Sequence, residues 1–139
     1  MNLPLKILSA KQIRKADLYT IENEAFKSID LMERAALKCF KWIQNKYDLS
    51  FSFYVFCGSG NNGGDGLALA RMLNLSKYTV ECYEIKLGNN FSKDYLTNRK
   101  RLEINVYSIK TLSQFPIIKN KSKVIIIDSI LGSGLNRNT

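Results

Sequence analysis

Histidine is missing from all 139 residues of the chain. Its absence excludes, within these residues, a Ser-His-Asp or Cys-His catalytic centre and every histidine-ligated metal site. Acid–base chemistry therefore falls to Asp, Glu, Lys, Tyr or Cys. Cysteine is sparse as well: Cys39, Cys57 and Cys82 are an odd number, widely spaced and without a CxxC pair. Disulfide frameworks and zinc sites want closer, even-numbered spacing, so all three are expected to be reduced and buried as small hydrophobes. No apolar run approaches the ~18 residues of a membrane span. The start, Met1 to Leu8, has one lysine and too short an apolar stretch for a signal peptide. The expectation is a soluble, cytoplasmic protein with no membrane partner. No repeat, low-complexity tract or Pro/Gly/Ser-rich linker marks a domain boundary, which leaves one domain over residues 1–139.

Acidic residues are also few, 12 against 21 Lys and Arg, for a net charge of +9. Such an excess favours anionic partners, a nucleotide or nucleic acid. The basic residues are scattered, with Arg99-Lys100-Arg101 as the one short run. A lysine-rich background plus a small-anion site is the preferred reading, and nucleic acid is not an expected partner. At 45% apolar and 24% charged residues the composition is globular, and a chain this long buries roughly two-thirds of its unfolded surface.

Hydrophobic periodicity supplies the elements. Ser9 and Gln12 have capping-box spacing ahead of a helix running to about Glu24. Asp30 and Glu33 repeat that spacing, followed by a helical stripe of Leu31, Ala35, Leu37, Phe40 and Ile43. Phe51 to Cys57 reads as a buried strand, Gly58 to Gly66 as a glycine-rich loop, and Leu67 to Leu75 as a helix. Strands are expected at Thr79–Leu87 and Val106–Ile109, with a helix between them from Ser92 toward Leu102. The clearest strand is Lys123 to Ile127, which leads into Asp128 and then Gly132-Ser133-Gly134. Alternating strands and helices of this kind argue for an α/β fold, a parallel sheet with helices on both faces. Such a sheet normally continues with further β-α units, so the domain is expected to be incomplete at its C-terminus.

Two loops carry the chemistry. Gly58-Ser59-Gly60-Asn61-Asn62-Gly63 satisfies GxGxxG between a strand and a helix, where glycines permit positive φ and backbone N–H groups can approach a pyrophosphate. Glu81 lies about 20 residues further on, where that fingerprint wants a ribose-binding acid. No Gly-Lys-Ser/Thr follows, so this is not a Walker A loop. Asn61, Asn62, Gly63, Gly64 and Asp65 add two amides and a carboxylate to one tight turn. Phosphate would repel Asp65, which leaves it to accept from sugar hydroxyls or to cap a helix starting at Gly66. In the second loop Asp128 stands at the carboxyl end of an apolar strand, where open α/β sheets bind ligands; the plainer alternative is a carboxylate satisfied by neighbouring backbone N–H groups. Gly132-Ser133-Gly134 again offers exposed backbone donors.

The segments CGSGNNGGDGLALAR, VIIIDSILGSGL and ILSAKQIRKAD…TIENE…SIDLMERAA resemble, in the same order, the YjeF N-terminal domain family of NAD(P)H-hydrate epimerases. The resemblance implies a Rossmann-like three-layer αβα sandwich with a mostly parallel sheet. It implies an isomerase that interconverts the R and S forms of hydrated NADH and NADPH (NADHX and NADPHX) in cofactor repair. Asn61 to Asp65 match the family's first substrate loop, and Gly132, Ser133, Gly134, Leu135, Asn136, Arg137 and Asn138 its second. Asn62 and Asp128 match its potassium ligands, and Asp128 is the candidate catalytic residue. The implied partner is an ADP- or ATP-dependent NAD(P)H-hydrate dehydratase, fused or separate, and a homodimer is admitted. Two rivals remain at this level: an NAD-dependent oxidoreductase, which gives the NNGGD turn and the second loop no role, and a non-catalytic scaffold of the mRNA-decapping type, whose relatives tend to lose the loop residues kept here.

Overall fold

Four parallel strands build one sheet in the order β3-β2-β1-β4: β1 is Ser52–Cys57, β2 Thr79–Ile85, β3 Val106–Ile109 and β4 Val124–Ser129. The computed structural model describes residues 7–23, 27–86, 88, 90–118 and 121–132. Four helices accompany the sheet: α1 (Ala10–Asn23), α2 (Ser28–Lys46), α3 (Asn61–Leu75) and α4 (Lys93–Arg101). The α/β class, the parallel pairing and all four strands are as the sequence indicates. β1 lies between β2 and β4, pairing Val55 with Cys82 on one side and with Ile127 on the other. The chain winds from β1 through β2 to β3 and then crosses back to place β4 on the far side of β1. That reversal is a topological switch point, and it opens a crevice at the carboxyl ends of β1 and β4.

Strand alternation separates the two faces of the sheet. Phe53, Val55, Cys57, Cys82, Ile125 and Ile127 pack against α2, α3 and α4 in two apolar clusters. α3 contributes Leu67, Ala68, Leu69, Ala70 and Leu73 to them, and α4 contributes Tyr95. The opposite face presents Tyr54, Phe56 and Tyr83, with Phe115 stacked on Phe56 at 5.7 Å between ring centroids. The described α2, α3 and α4 thus cover one face.

Local signals set most helix ends. Ser9 and Gln12 form the expected reciprocal box: the Ser9 N–H donates to Gln12 Oε1 at 2.8 Å, and the Gln12 N–H to Ser9 Oγ at 3.3 Å. Ser92 caps α4 by accepting from the Tyr95 N–H at 3.1 Å. The box expected at Asp30 and Glu33 does not form. α2 begins at Ser28, so Asp30 already lies in its first turn, favourably placed for the helix dipole. Glu33 instead binds Arg71 of α3 at 2.6 Å and Arg101 of α4 at 3.1 Å. The buried stripe of α2 is Met32, Ala36, Phe40 and Ile43, whereas Ala35 and Leu37 are exposed. Docking on α3 and α4 rotates the first turns by one residue from the expected register. Cys39 is on the exposed side of the same helix, against the expectation of burial, while Cys57 and Cys82 are buried with their sulfurs 3.9 Å apart. Contact with Cys82 and burial push the Cys57 thiol far above its ordinary range, so it is a poor nucleophile.

Candidate functional site at the switch point

The glycine-rich segment is mostly helix. After Cys57 only Gly58, Ser59 and Gly60 turn the chain, and α3 begins at Asn61, six residues before the expected Leu67. Asn and Gly are weak helix formers, so tertiary packing imposes this start. A Cβ on Gly63 would lie 1.8 Å from the Gly58 carbonyl oxygen, and one on Gly66 would lie 2.7 Å from the Ser129 side chain. No described glycine has positive φ. These glycines are needed because α3 presses onto the ends of β1 and β4, rather than for the left-handed conformation.

The two ligand-type loops meet here. The Gly58 N–H donates to the Ser129 carbonyl at 3.0 Å, and the Asn62 side-chain amide donates to the Leu131 carbonyl at 3.0 Å. A Cβ on Gly132 would touch that of Asn62 at 3.2 Å, so the second loop lies directly against the first turn of α3. Gly60 occupies the N-cap position and has no side chain with which to cap the helix. The N–H groups of Asn61, Asn62 and Gly63 therefore have no intrahelical acceptor and lie at the positive end of the α3 dipole. Such an end binds anions, phosphate in particular.

Asp65 lies in the second turn of α3 and does not cap it, which removes the helix-cap alternative. Its carboxyl is pushed up to about 6, by burial first and then by Asp17 of α1 and Asp94 of α4. It can exchange a proton near neutral pH without histidine. Asp128 is exposed at the end of β4, paired in register with Phe56. Its Oδ1 accepts from the Ile130 N–H at 3.0 Å, as the plainer reading of this carboxylate anticipates, and its second oxygen has no partner among the described residues. Ser129 packs on Gly66 under α3, so Asp128 leaves the strand on the other side of the sheet. The structure thus brings Asn62 to the loop that follows Asp128. Ser133, Gly134, Leu135, Asn136, Arg137 and Asn138 lie outside the described residues.

Glu81, where the fingerprint wants a ribose-binding acid, does not reach the carboxyl end of the sheet. Glu81 is near the start of β2, opposite Tyr54, and takes the Tyr83 hydroxyl. Glu84, level with Cys57 at the carboxyl end, is the acid beside the crevice, and it accepts from the Tyr95 hydroxyl. The Arg99-Lys100-Arg101 run occupies the last turn of α4, where it complements the helix dipole.

No described helix is long and apolar enough to cross a membrane. Among the described residues no three His, Cys, Asp or Glu cluster as a metal site.

Comparison with known proteins agrees with this geometry. A profile of the family described as YjeF-related protein N-terminus matches residues 28–139. The chain is 35% identical over 133 residues to an NAD(P)H-hydrate epimerase of Limosilactobacillus reuteri (strain DSM 20016), covering 95% of this chain and 61% of that protein. An enzyme of the same name from Anaerococcus prevotii is 38% identical over 137 residues, covering 94% and 62%. A bifunctional NAD(P)H-hydrate repair enzyme Nnr of Dictyoglomus turgidum is 31% identical over 138 residues, covering 96% of this chain and 26% of its own. The chain therefore spans about three-fifths of the length of the single-function relatives it matches. The crystal structure of the yeast protein ynu0 (YNL200c) shares the fold, with a TM-score of 0.73 at 22% identity over 97% of this chain and 60% of that one.

Proposed function

This chain belongs to the YjeF-related protein N-terminus family, and from that premise we propose that it forms the substrate-binding part of an epimerase interconverting the R and S forms of NADHX and NADPHX. The observation that carries the reading is the contact of two ligand-type loops, Asn62 against Leu131, beside the open N-terminus of α3 at the switch point. The names of the relatives support the same activity.

The substrate's pyrophosphate takes the free N–H groups of Asn61, Asn62 and Gly63, and the residues after Gly132 complete that grip. Asp65 accepts from a sugar hydroxyl. Epimerisation requires a bond at the hydrated carbon to break and re-form, by loss and return of water or by ring opening. Either route passes through positive charge on the ring and a proton transfer. Asp128 supplies the negative charge and serves as the acid–base group.

Asn62 and Asp128 also suit a potassium ion in kind. Asn62 commits its amide nitrogen to Leu131, and among the described residues neither its Oδ1 nor the second Asp128 oxygen has a partner. Uncommitted oxygens of this type are what a hard cation takes. A bound monovalent ion would supply electrostatic neutralisation of phosphate and carboxylate charge. A dehydratase that consumes the S form is the partner this activity implies, and the bifunctional name of one relative supports a fused arrangement.

The test is R-to-S conversion of NADHX followed by chiral chromatography, with a polypeptide spanning the full length of the relatives. Acceleration over the spontaneous rate is expected, and a rate equal to the spontaneous one overturns the reading.

A further inference from the structure

α4 and its cap residue Ser92 grip the entry turn of α3 at two points. The Ser92 backbone N–H donates to the Ser59 carbonyl at 3.0 Å. On the same helix Asn98 is completely buried, and its Nδ2 donates to the Gly64 carbonyl at 3.3 Å and to Met32 Sδ at 3.1 Å. Its own Oδ1 has no hydrogen-bond partner among the described residues. Burying an amide with one atom unsatisfied is unfavourable, and an apolar side chain of the same shape avoids that cost. What Asn98 has and leucine lacks is the N–H aimed at Gly64. The turn packs closely on this side, since a Cβ on Gly64 would lie 2.9 Å from Met32 Sδ and 3.3 Å from the Tyr95 nitrogen. α4 is itself anchored to the sheet, where the Tyr95 hydroxyl donates to Glu84.

We propose that Asn98 is a positioning residue: its amide holds the first turn of α3 in the place and orientation that aim the free N–H groups of Asn61, Asn62 and Gly63 at the substrate's pyrophosphate. The inference rests on the reading of that turn as an anion site. A buried hydrogen bond between two helices fixes their relative rotation and translation, which apolar contacts alone leave looser. A shift of about 1 Å at a binding turn is enough to weaken recognition severely.

The probe is ADP-ribose, titrated calorimetrically into the full chain and into Asn98→Leu, with thermal midpoints measured alongside. The variant should keep or raise its thermal midpoint while binding ADP-ribose about tenfold more weakly or worse; a purely structural role would lower the midpoint and leave affinity alone. Equal affinity in a folded Asn98→Leu protein overturns the proposal. Asn98→Asp adds a second readout, because a protonated carboxyl donates to Gly64 and a carboxylate does not. Its affinity deficit against wild type at the same pH should close as the pH is lowered, and a deficit that does not vary with pH counts against the proposal. Should the wild type itself not bind ADP-ribose, the anion reading fails, and amide hydrogen exchange then judges the clamp separately. The Gly64 amide, which donates to the Gly60 carbonyl at 3.1 Å, should exchange faster in Asn98→Leu than in wild type, and an unchanged rate overturns the clamp.

Discussion

The Asn62 side-chain amide donates to the Leu131 carbonyl across 3.0 Å, joining positions 69 apart in sequence. Together with the Gly58 N–H on the Ser129 carbonyl, it fastens the turn after β1 to the turn after β4. These turns follow adjacent parallel strands, so the ends of β1 and β4 present one continuous surface of backbone donors and amide groups rather than two separate loops.

Gly63 should be the least replaceable glycine of the α3 turn. A methyl group there would meet the Gly58 carbonyl at 1.8 Å, and neither atom can move without displacing α3 or the end of β1. Gly63→Ala is expected to destabilise the fold by about 3 kcal/mol or more, as severe overpacking does. Urea denaturation measures this; a loss below ~1 kcal/mol would show that α3 can slide.

Asp128→Asn keeps the shape of the side chain and its acceptor for the Ile130 N–H but removes the negative charge. The circular dichroism spectrum should be unchanged. Epimerase turnover in a full-length protein should fall roughly a hundred- to thousand-fold, the usual cost of a lost electrostatic contact in a transition state, and the response to potassium should weaken. Wild-type turnover with an unaltered potassium response would make Asp128 structural only.

Asp65 gives stability a pH dependence of defined sign. Burial raises its carboxyl from 3.8 to about 6 in the folded state, so the folded chain binds the proton more tightly than the unfolded one. The contribution is fully present below pH 3.8 and is lost as the pH rises toward 6. Asp65→Asn should therefore match wild type near pH 4 and exceed it at pH 7 by about 1 kcal/mol, allowing for solvent screening of a partly exposed group. Thermal midpoints across that range decide it, and a constant offset between the two proteins would refute the assignment. In a full-length protein the same variant should raise KM more than it lowers kcat, as expected for a contact made equally in ground and transition states.

Lys77 has φ of 70° at the turn between α3 and β2, a left-handed conformation that a side chain resists. Lys77→Gly should stabilise the chain by up to about 1 kcal/mol, since relief of strain outweighs the added freedom of the unfolded state. Chemical denaturation with an unchanged m-value is the readout. A destabilised variant would mean that the Lys77 side chain makes a compensating contact.

The sequence by itself determined the elements whose signals are local. The apolar run before Asp128 read most clearly as a strand, Ser9 with Gln12 and Ser92 marked their own helix starts, and the strand–glycine–helix pattern around Gly58 placed a ligand turn at a strand's end. Those signals depend on a few neighbouring residues and on hydrogen bonds that close within one turn. Tertiary structure decided what depends on who packs against whom. Asn61 to Gly66 look like a loop by propensity and become helix because only glycine lets α3 reach the Gly58 carbonyl and Ser129. Glu84, rather than Glu81, stands beside the crevice because the parallel register with β1 sets the height of β2. Met32 displaces Leu31 from the buried stripe because α2 must meet α3 and α4 at once, and the same constraint leaves Cys39 exposed. Asn98, within the polar run Thr97 to Arg101, reads as surface and lies wholly buried. Its partner is the Gly64 carbonyl, a backbone atom of another helix that one-dimensional periodicity does not encode.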